Sequence, residues 1–250
     1  MELKKLVKNT SYLMLTKVFQ FIAGIFRSKL NAVLLGTAGV GIVNQLTFLT
    51  QSLTKFTLLS MSEAVVKQIA ESRDKDTVTE VINSSLKSYI ILILSFMSIS
   101  IILFNYFSDD LTKYVFGDIK YIRYFFIALF TFPILVLNSI PFAILKGFKN
   151  VKAISQARVL IIIVNLLIFI PLIILYKLDG AIIFIPSSYI LTLTINYLFV
   201  KYQHLSNLKI SFLSIMKAPL HKGYVKELLL FSGVGLSVGS YSIFSEFTCR

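Results

Sequence analysis

The chain has a single cysteine, Cys249, two histidines, His204 and His221, and 12 acidic residues among 250. One thiol excludes an internal disulfide, and no CxxC pair or histidine cluster offers a metal site. The histidines share one connector and read as interfacial polar groups. Charge is scarce too: 15% of residues are Asp, Glu, Lys or Arg, against about 25% in a typical soluble domain. Clustered carboxylates for acid–base chemistry are lacking. The nearest approach, Asp109, Asp110 and Asp118, falls in one connector and reads as solvated. Long apolar runs are present instead, and 56% of the chain is hydrophobic. Segments 89–107, 124–145, 159–176, 180–200 and 228–245 hold 19, 22, 18, 21 and 18 residues without a charge.

Runs of this length are membrane crossings, since a spanning helix needs roughly 20 mostly apolar residues. Two less clean segments, 9–30 and 40–61, come first, which predicts seven spans. All are expected to be helical, because backbone groups in lipid must be satisfied within the segment and no barrel-like alternation is present. The net charge of +13 does not indicate a nucleic-acid partner, because the lysines are divided among connectors rather than gathered on one basic face. They follow the positive-inside rule instead. With the N-terminus in the cytoplasm, segments 1–8, 67–87, 146–158 and 201–226 carry 16 Lys and Arg, and segments 27–39, 106–123 and 176–179 carry 6. The first span is expected to be retained rather than cleaved as a signal peptide. The expected fold class is all-α, a polytopic membrane bundle. Residues 1–200 are expected to form a six-helix lobe, 201–223 a cytoplasmic connector, and 224–250 the first helix of a truncated second lobe. Within the connector, 210–217 fits a short amphipathic helix on the inner interface.

Function is then sought in polar groups inside the spans. Lys17 lies about 12 Å into the first span at 1.5 Å per residue. A lysine at mid-helix costs about 2.5–3.5 kcal/mol, so Lys17 either faces a cavity or snorkels to the inner headgroups. Lys55 in the second span poses the same choice. Glu63 and Lys67, four residues apart, read as a pair near the inner surface. Arg27 and Lys29 close the first span on the outer side, as an anion site or as interface anchors. The second span also carries Asn44, Gln45, Thr47, Thr50, Gln51, Ser52 and Thr54, and Gln20 is on the first. Lipid-buried amides seek a partner in another helix or in water, so this density implies a hydrated groove. Its predicted lining is Lys17, Gln20, Asn44, Gln51 and Lys55. A basic groove suits an anionic substrate, because a phosphate restores part of the solvation that the lysines lose. Pro133, Pro141, Pro171 and Pro186 can kink the later spans.

Three segments carry a resemblance. Segment 29–41, KLNAVLLGTAGVG, has a Leu35-Gly36 step followed by Gly39-x-Gly41 between spans one and two. Segment 62–71, SEAVVKQIAE, closes span two, and 145–150, LKGFKN, follows span four. In this order and spacing they resemble polysaccharide flippases of the multidrug/oligosaccharidyl-lipid/polysaccharide exporter superfamily, in the O-antigen and enterobacterial-common-antigen branch. The resemblance implies flipping of undecaprenyl-diphosphate-linked oligosaccharides across the bacterial plasma membrane, without bond chemistry or cofactor. It also implies two six-helix lobes around a cationic cavity with alternating access. Lys17 and Lys29 fall where this branch carries basic residues, and Lys55 falls in a cavity-lining span. Glu63 is the clear acidic group in the early spans for ion coupling. A polysaccharide polymerase and a chain-length regulator are the implied protein partners. Competing readings are a drug exporter of the same fold, a membrane scaffold for polysaccharide assembly, and an enzyme acting on lipid-linked sugars.

Overall fold

A computed structural model describes residues 2–58, 61–72 and 75–202. The connector beyond 202, the segment 210–217, the span 228–245, both histidines and Cys249 lie outside the described residues. The described chain is helical: α1 (Glu2–Leu58), α2 (Met61–Glu71), α3 (Lys75–Phe116), a 3-10 turn (Ile119–Tyr121), α4 (Ile122–Gly147) and α5 (Val151–Val200). Four segments are long and apolar enough to cross a membrane: Thr10–Leu58, Thr77–Ile102, Ile119–Gly147 and Val151–Val200. The chain is an all-α polytopic membrane bundle.

The first and last of these segments, 49 and 50 residues, are more than twice the roughly 20 needed to cross. Each contains one residue far from helical geometry: Gly36 (φ 66, ψ −176) and Lys177 (φ 47, ψ −119). Both reverse the chain. Lys17 and Thr54 line one cavity, whereas an unbroken helix would hold them roughly 55 Å apart at 1.5 Å per residue. The Phe169 and Phe184 rings meet edge to face, with centroids 5.0 Å apart, where a straight helix would give roughly 22 Å. We therefore divide α1 into α1a (2–35) and α1b (37–58), and α5 into α5a (151–176) and α5b (178–200).

The reversal at Gly36 depends on the residue. A positive φ with an extended ψ is accessible to glycine and costly for a side chain with Cβ. Gly36→Ala is expected to lower the unfolding free energy by about 1–3 kcal/mol, read as a lower thermal midpoint in detergent. Nothing lies within 4 Å of a Cβ built there, so the loss would report backbone strain and not a clash.

α4 is the central helix. Half of its apolar spanning stretch is buried, against 17% or less for the other three. Tyr124, Phe125, Ala128, Phe132, Val136, Ile140 and Ile144 run along its buried side. Its first turns meet the α5 reversal, where Arg123 Nη2 lies 3.1 Å from Asp179 Oδ1. At the same end, Leu30, Leu34 and Leu35 of α1a pack on Phe169, Ile173 and Phe184. At the opposite end α2 seats Ile69 on Gly147 so closely that a Cβ there would have to displace it. The Asn150 side chain then accepts from the Ala153 N–H at 3.1 Å and starts α5, the usual service of an N-cap amide. Large apolar side chains on α1a, α3 and α5, such as Phe21, Leu94 and Leu167, are exposed, as lipid-facing surfaces require.

Candidate substrate cavity

Between α1a, α1b, α4 and both limbs of α5 lies a cavity of about 410 Å³. Its polar lining is Lys17 and Gln20 from α1a, Thr54 from α1b, Asn138 and Ser139 from α4, Arg158 from α5a, and Thr192 and Asn196 from α5b. Phe142 and several aliphatic side chains complete the wall. The lining holds two cations and no carboxylate. Among the described residues, neither Lys17 nor Arg158 forms an ion pair. An unpaired cation within a spanning helix is expensive, and an anionic ligand is the natural counter-charge.

The uncharged groups divide by hydrogen-bonding role. Thr54 Oγ1 donates to the Thr50 carbonyl at 2.8 Å, Ser139 Oγ to Val136 at 2.7 Å, and Thr192 Oγ1 to Ser188 at 2.7 Å. With their protons committed to backbone, these hydroxyls present acceptor lone pairs. Asn196 Nδ2 donates to Asn138 Oδ1 at 2.9 Å, which ties α5b to α4 across the wall. The Asn138 amide N–H₂ and the Gln20 side chain add donors. Cationic donors beside neutral acceptors match a ligand that carries both phosphate and hydroxyl groups.

Lys17 and Gln20 also line a groove of about 710 Å³ with Phe21, Gly24, Ile25 and Ser28. Spacings of three, one, three, one and three put these residues on a single face of α1a. The groove therefore runs on from the cavity toward the Gly36 end.

The other predicted residues lie elsewhere. Asn44, Gln51 and Lys55 are exposed on α1b and line neither space. The Gln51 side chain lies beside Tyr189 of α5b. Arg27 is half-buried, with its guanidinium carbon 5.9 Å from the Phe169 ring centroid and 5.5 Å from that of Phe184. Lys29 is exposed. Glu63 is exposed in the first turn of α2, where its carboxylate accepts from Ser62 Oγ at 2.7 Å. The dense hydroxyls of the second span are largely self-satisfied: Thr47, Thr50, Thr54 and Thr57 each donate to the carbonyl four residues back. Such back-bonding needs no water.

Sequence reasoning missed Arg158, Asn138, Ser139, Thr192 and Asn196. For Arg158 the signal was present. Asn150 is a helix N-cap by residue type, so the helix starts at 151 and Arg158 lies two turns inside it. Asn138 and Asn196 are amides inside apolar runs, but their pairing across 58 residues has no local signature.

The aspartates weighed for catalysis do not converge. Asp109 and Asp110 are exposed. Asp118 pairs with Lys120 at 2.8 Å, and that contact, with the Lys120 backbone N–H, holds its pKa below the ordinary carboxylate value. Among the described residues, no group of three or more His, Cys, Asp or Glu could hold a metal.

Bundle and cavity together define a multi-pass membrane protein with a polar, cation-lined chamber among its spanning helices. Residues 6–244 match the family described as polysaccharide biosynthesis protein, and the chain belongs to that family. No curated protein and no solved structure matches it. Membership is consistent with membrane transport of a lipid-linked polysaccharide substrate by a non-enzymatic transporter.

Proposed function

We propose that the chain flips undecaprenyl-diphosphate-linked oligosaccharide repeat units from the inner to the outer leaflet of a bacterial plasma membrane, for O-antigen or related polysaccharide synthesis. The observation that carries this reading is the cavity's charge: Lys17 and Arg158 with no carboxylate in the lining. On this reading the two cations take the diphosphate, the Thr54, Ser139 and Thr192 oxygens accept from sugar hydroxyls, and the prenyl tail stays in lipid. The reversals at Gly36 and Lys177 support six crossings, with the basic ends of α4 and α5a facing the cytoplasm and the N-terminus on that side. Arg27 and Lys29 act toward the outer side, Asn44, Gln51 and Lys55 on the second crossing, and Glu63 in any ion coupling. A polymerase and a chain-length regulator are the expected protein partners.

A drug-cation exporter needs carboxylates facing the cavity, and this lining has none. The test is flipping of a fluorescent undecaprenyl-diphosphate oligosaccharide by the full chain in proteoliposomes. Lys17→Gln is expected to slow it by roughly 10-fold or more, the value of one charge-assisted hydrogen bond. Uptake of an organic cation in place of the diphosphate, indifferent to Lys17, would overturn the proposal.

A further inference from the structure

Arg158 does not stand alone at its end of the cavity. Its guanidinium carbon lies 4.8 Å from the Phe142 ring centroid, and Lys146 Nζ lies 4.8 Å from the same centroid. The two cations are therefore at most twice that distance apart. Phe142 lines the cavity, whereas Lys146 is exposed in the last turn of α4. Lys146 follows Phe142 by four residues, so both sit on one face of α4, and Arg158 meets the ring from α5a. Among the described residues neither cation is ion-paired. Two like charges converging on one phenyl ring repel each other. The ring quadrupole offsets part of this, and an anion lying between them would offset the rest.

We infer that Lys146, Phe142 and Arg158 form a relay for the anionic headgroup, an inference that rests on the diphosphate reading above. Lys146 captures the headgroup at the exposed mouth. Phe142 is a positioning residue that keeps Arg158 one ring away, inside the cavity. The headgroup then passes to Arg158 and Lys17 without crossing an uncharged gap. Exposed rim charges act mainly on association rate, and desolvated charges on dissociation, so the two cations should separate kinetically.

The chain has no tryptophan, which makes Phe142→Trp a single fluorophore that keeps the aromatic face. The probe is farnesyl diphosphate, mixed by stopped flow with the full Phe142→Trp chain in nanodiscs of zwitterionic lipid. In that background Lys146→Gln is expected to lower the association rate about fivefold, flatten its salt dependence, and leave dissociation within about twofold. Lys146→Arg should restore the rate. Arg158→Gln should instead speed dissociation by about tenfold or more. Phe142→Leu, followed by calorimetry, keeps an apolar side chain but loses the ring face, and should weaken binding about fivefold. If Lys146→Gln leaves the association rate and its salt dependence unchanged while Arg158→Gln weakens binding, the relay is wrong and the diphosphate reading stands. If farnesyl diphosphate does not bind the Phe142→Trp chain or, by calorimetry, the parent chain, both are wrong.

Discussion

Arg158→Gln is expected to cut lipid-linked oligosaccharide flipping by at least about 30-fold while the protein stays folded. Arg158 is half-buried at the cavity wall, and its planar fork can grip a diphosphate through two parallel hydrogen bonds. Each charge-assisted bond is worth about 1.5–3 kcal/mol, and a 30-fold loss is about 2 kcal/mol, so one bond of ordinary strength reaches the lower bound. Arg158→Lys should fall between parent and Gln, because an ammonium keeps the charge but not the fork. Stability should move the other way or hardly at all. With no carboxylate in the lining, Arg158 and Lys17 repel in the empty cavity, and removing one cation relieves that. The loss is the contact with Phe142, worth about 0.5–2 kcal/mol. The two effects oppose, so the thermal midpoint of Arg158→Gln should stay close to that of the parent. Flipping assays and unfolding curves on the same purified variants check both halves. Transport lost together with the fold would make Arg158 a structural residue, and transport retained would remove the cationic cavity from the mechanism.

The fold was legible wherever physics forced a long signature on the sequence. Backbone desolvation in lipid demands about 20 apolar residues per crossing, so the runs at 124–145, 159–176 and 180–200 fall within α4, α5a and α5b. The connector 176–180 is the reversal at Lys177, and the glycine step at Leu35-Gly36 is the reversal in α1. The site was legible only in part. Lys17 and Gln20 announce themselves as polar residues in an apolar helix, and they line the cavity. Arg158 was counted with the basic connector 146–158 because an uncharged run begins one residue later. Its depth follows from the helix start at Asn150, not from the charge pattern. The threonines of α1b misled for a local reason: a hydroxyl on a helix can satisfy itself on its own backbone, so density of hydroxyls does not measure hydration. The Asn138–Asn196 bond depends on how α4 meets α5b, which no short window of sequence encodes.

The reversal at Lys177 offers a pair of substitutions with opposite expected signs. Gly180 is buried three residues past the turn, and a Cβ there would run into the Leu172 carbonyl group and press Tyr176 Cβ at 3.1 Å. These are mostly backbone atoms of the same hairpin and cannot swing aside. Gly180→Val should therefore cost at least about 3 kcal/mol, the upper part of the overpacking range. The damage should spread to the Phe169–Phe184 contact and the Arg123–Asp179 pair. Lys177, by contrast, has φ 47 and ψ −119, close to the first central position of a type II′ turn, which favours glycine. Lys177→Gly should stabilise by about 1 kcal/mol, since the relieved strain exceeds the extra freedom of the unfolded chain. Thermal unfolding in detergent measures both. A second readout uses Phe169→Cys with Phe184→Cys in a Cys249→Ser background. The rings those cysteines replace touch in the closed hairpin, so oxidative cross-linking should be efficient in the parent and with Lys177→Gly, and should fall with Gly180→Val. Equal cross-linking in all three would mean that the α5 hairpin is closed by its packing on α1a, where Leu30, Leu34 and Leu35 lie against it, and not by the geometry of the turn.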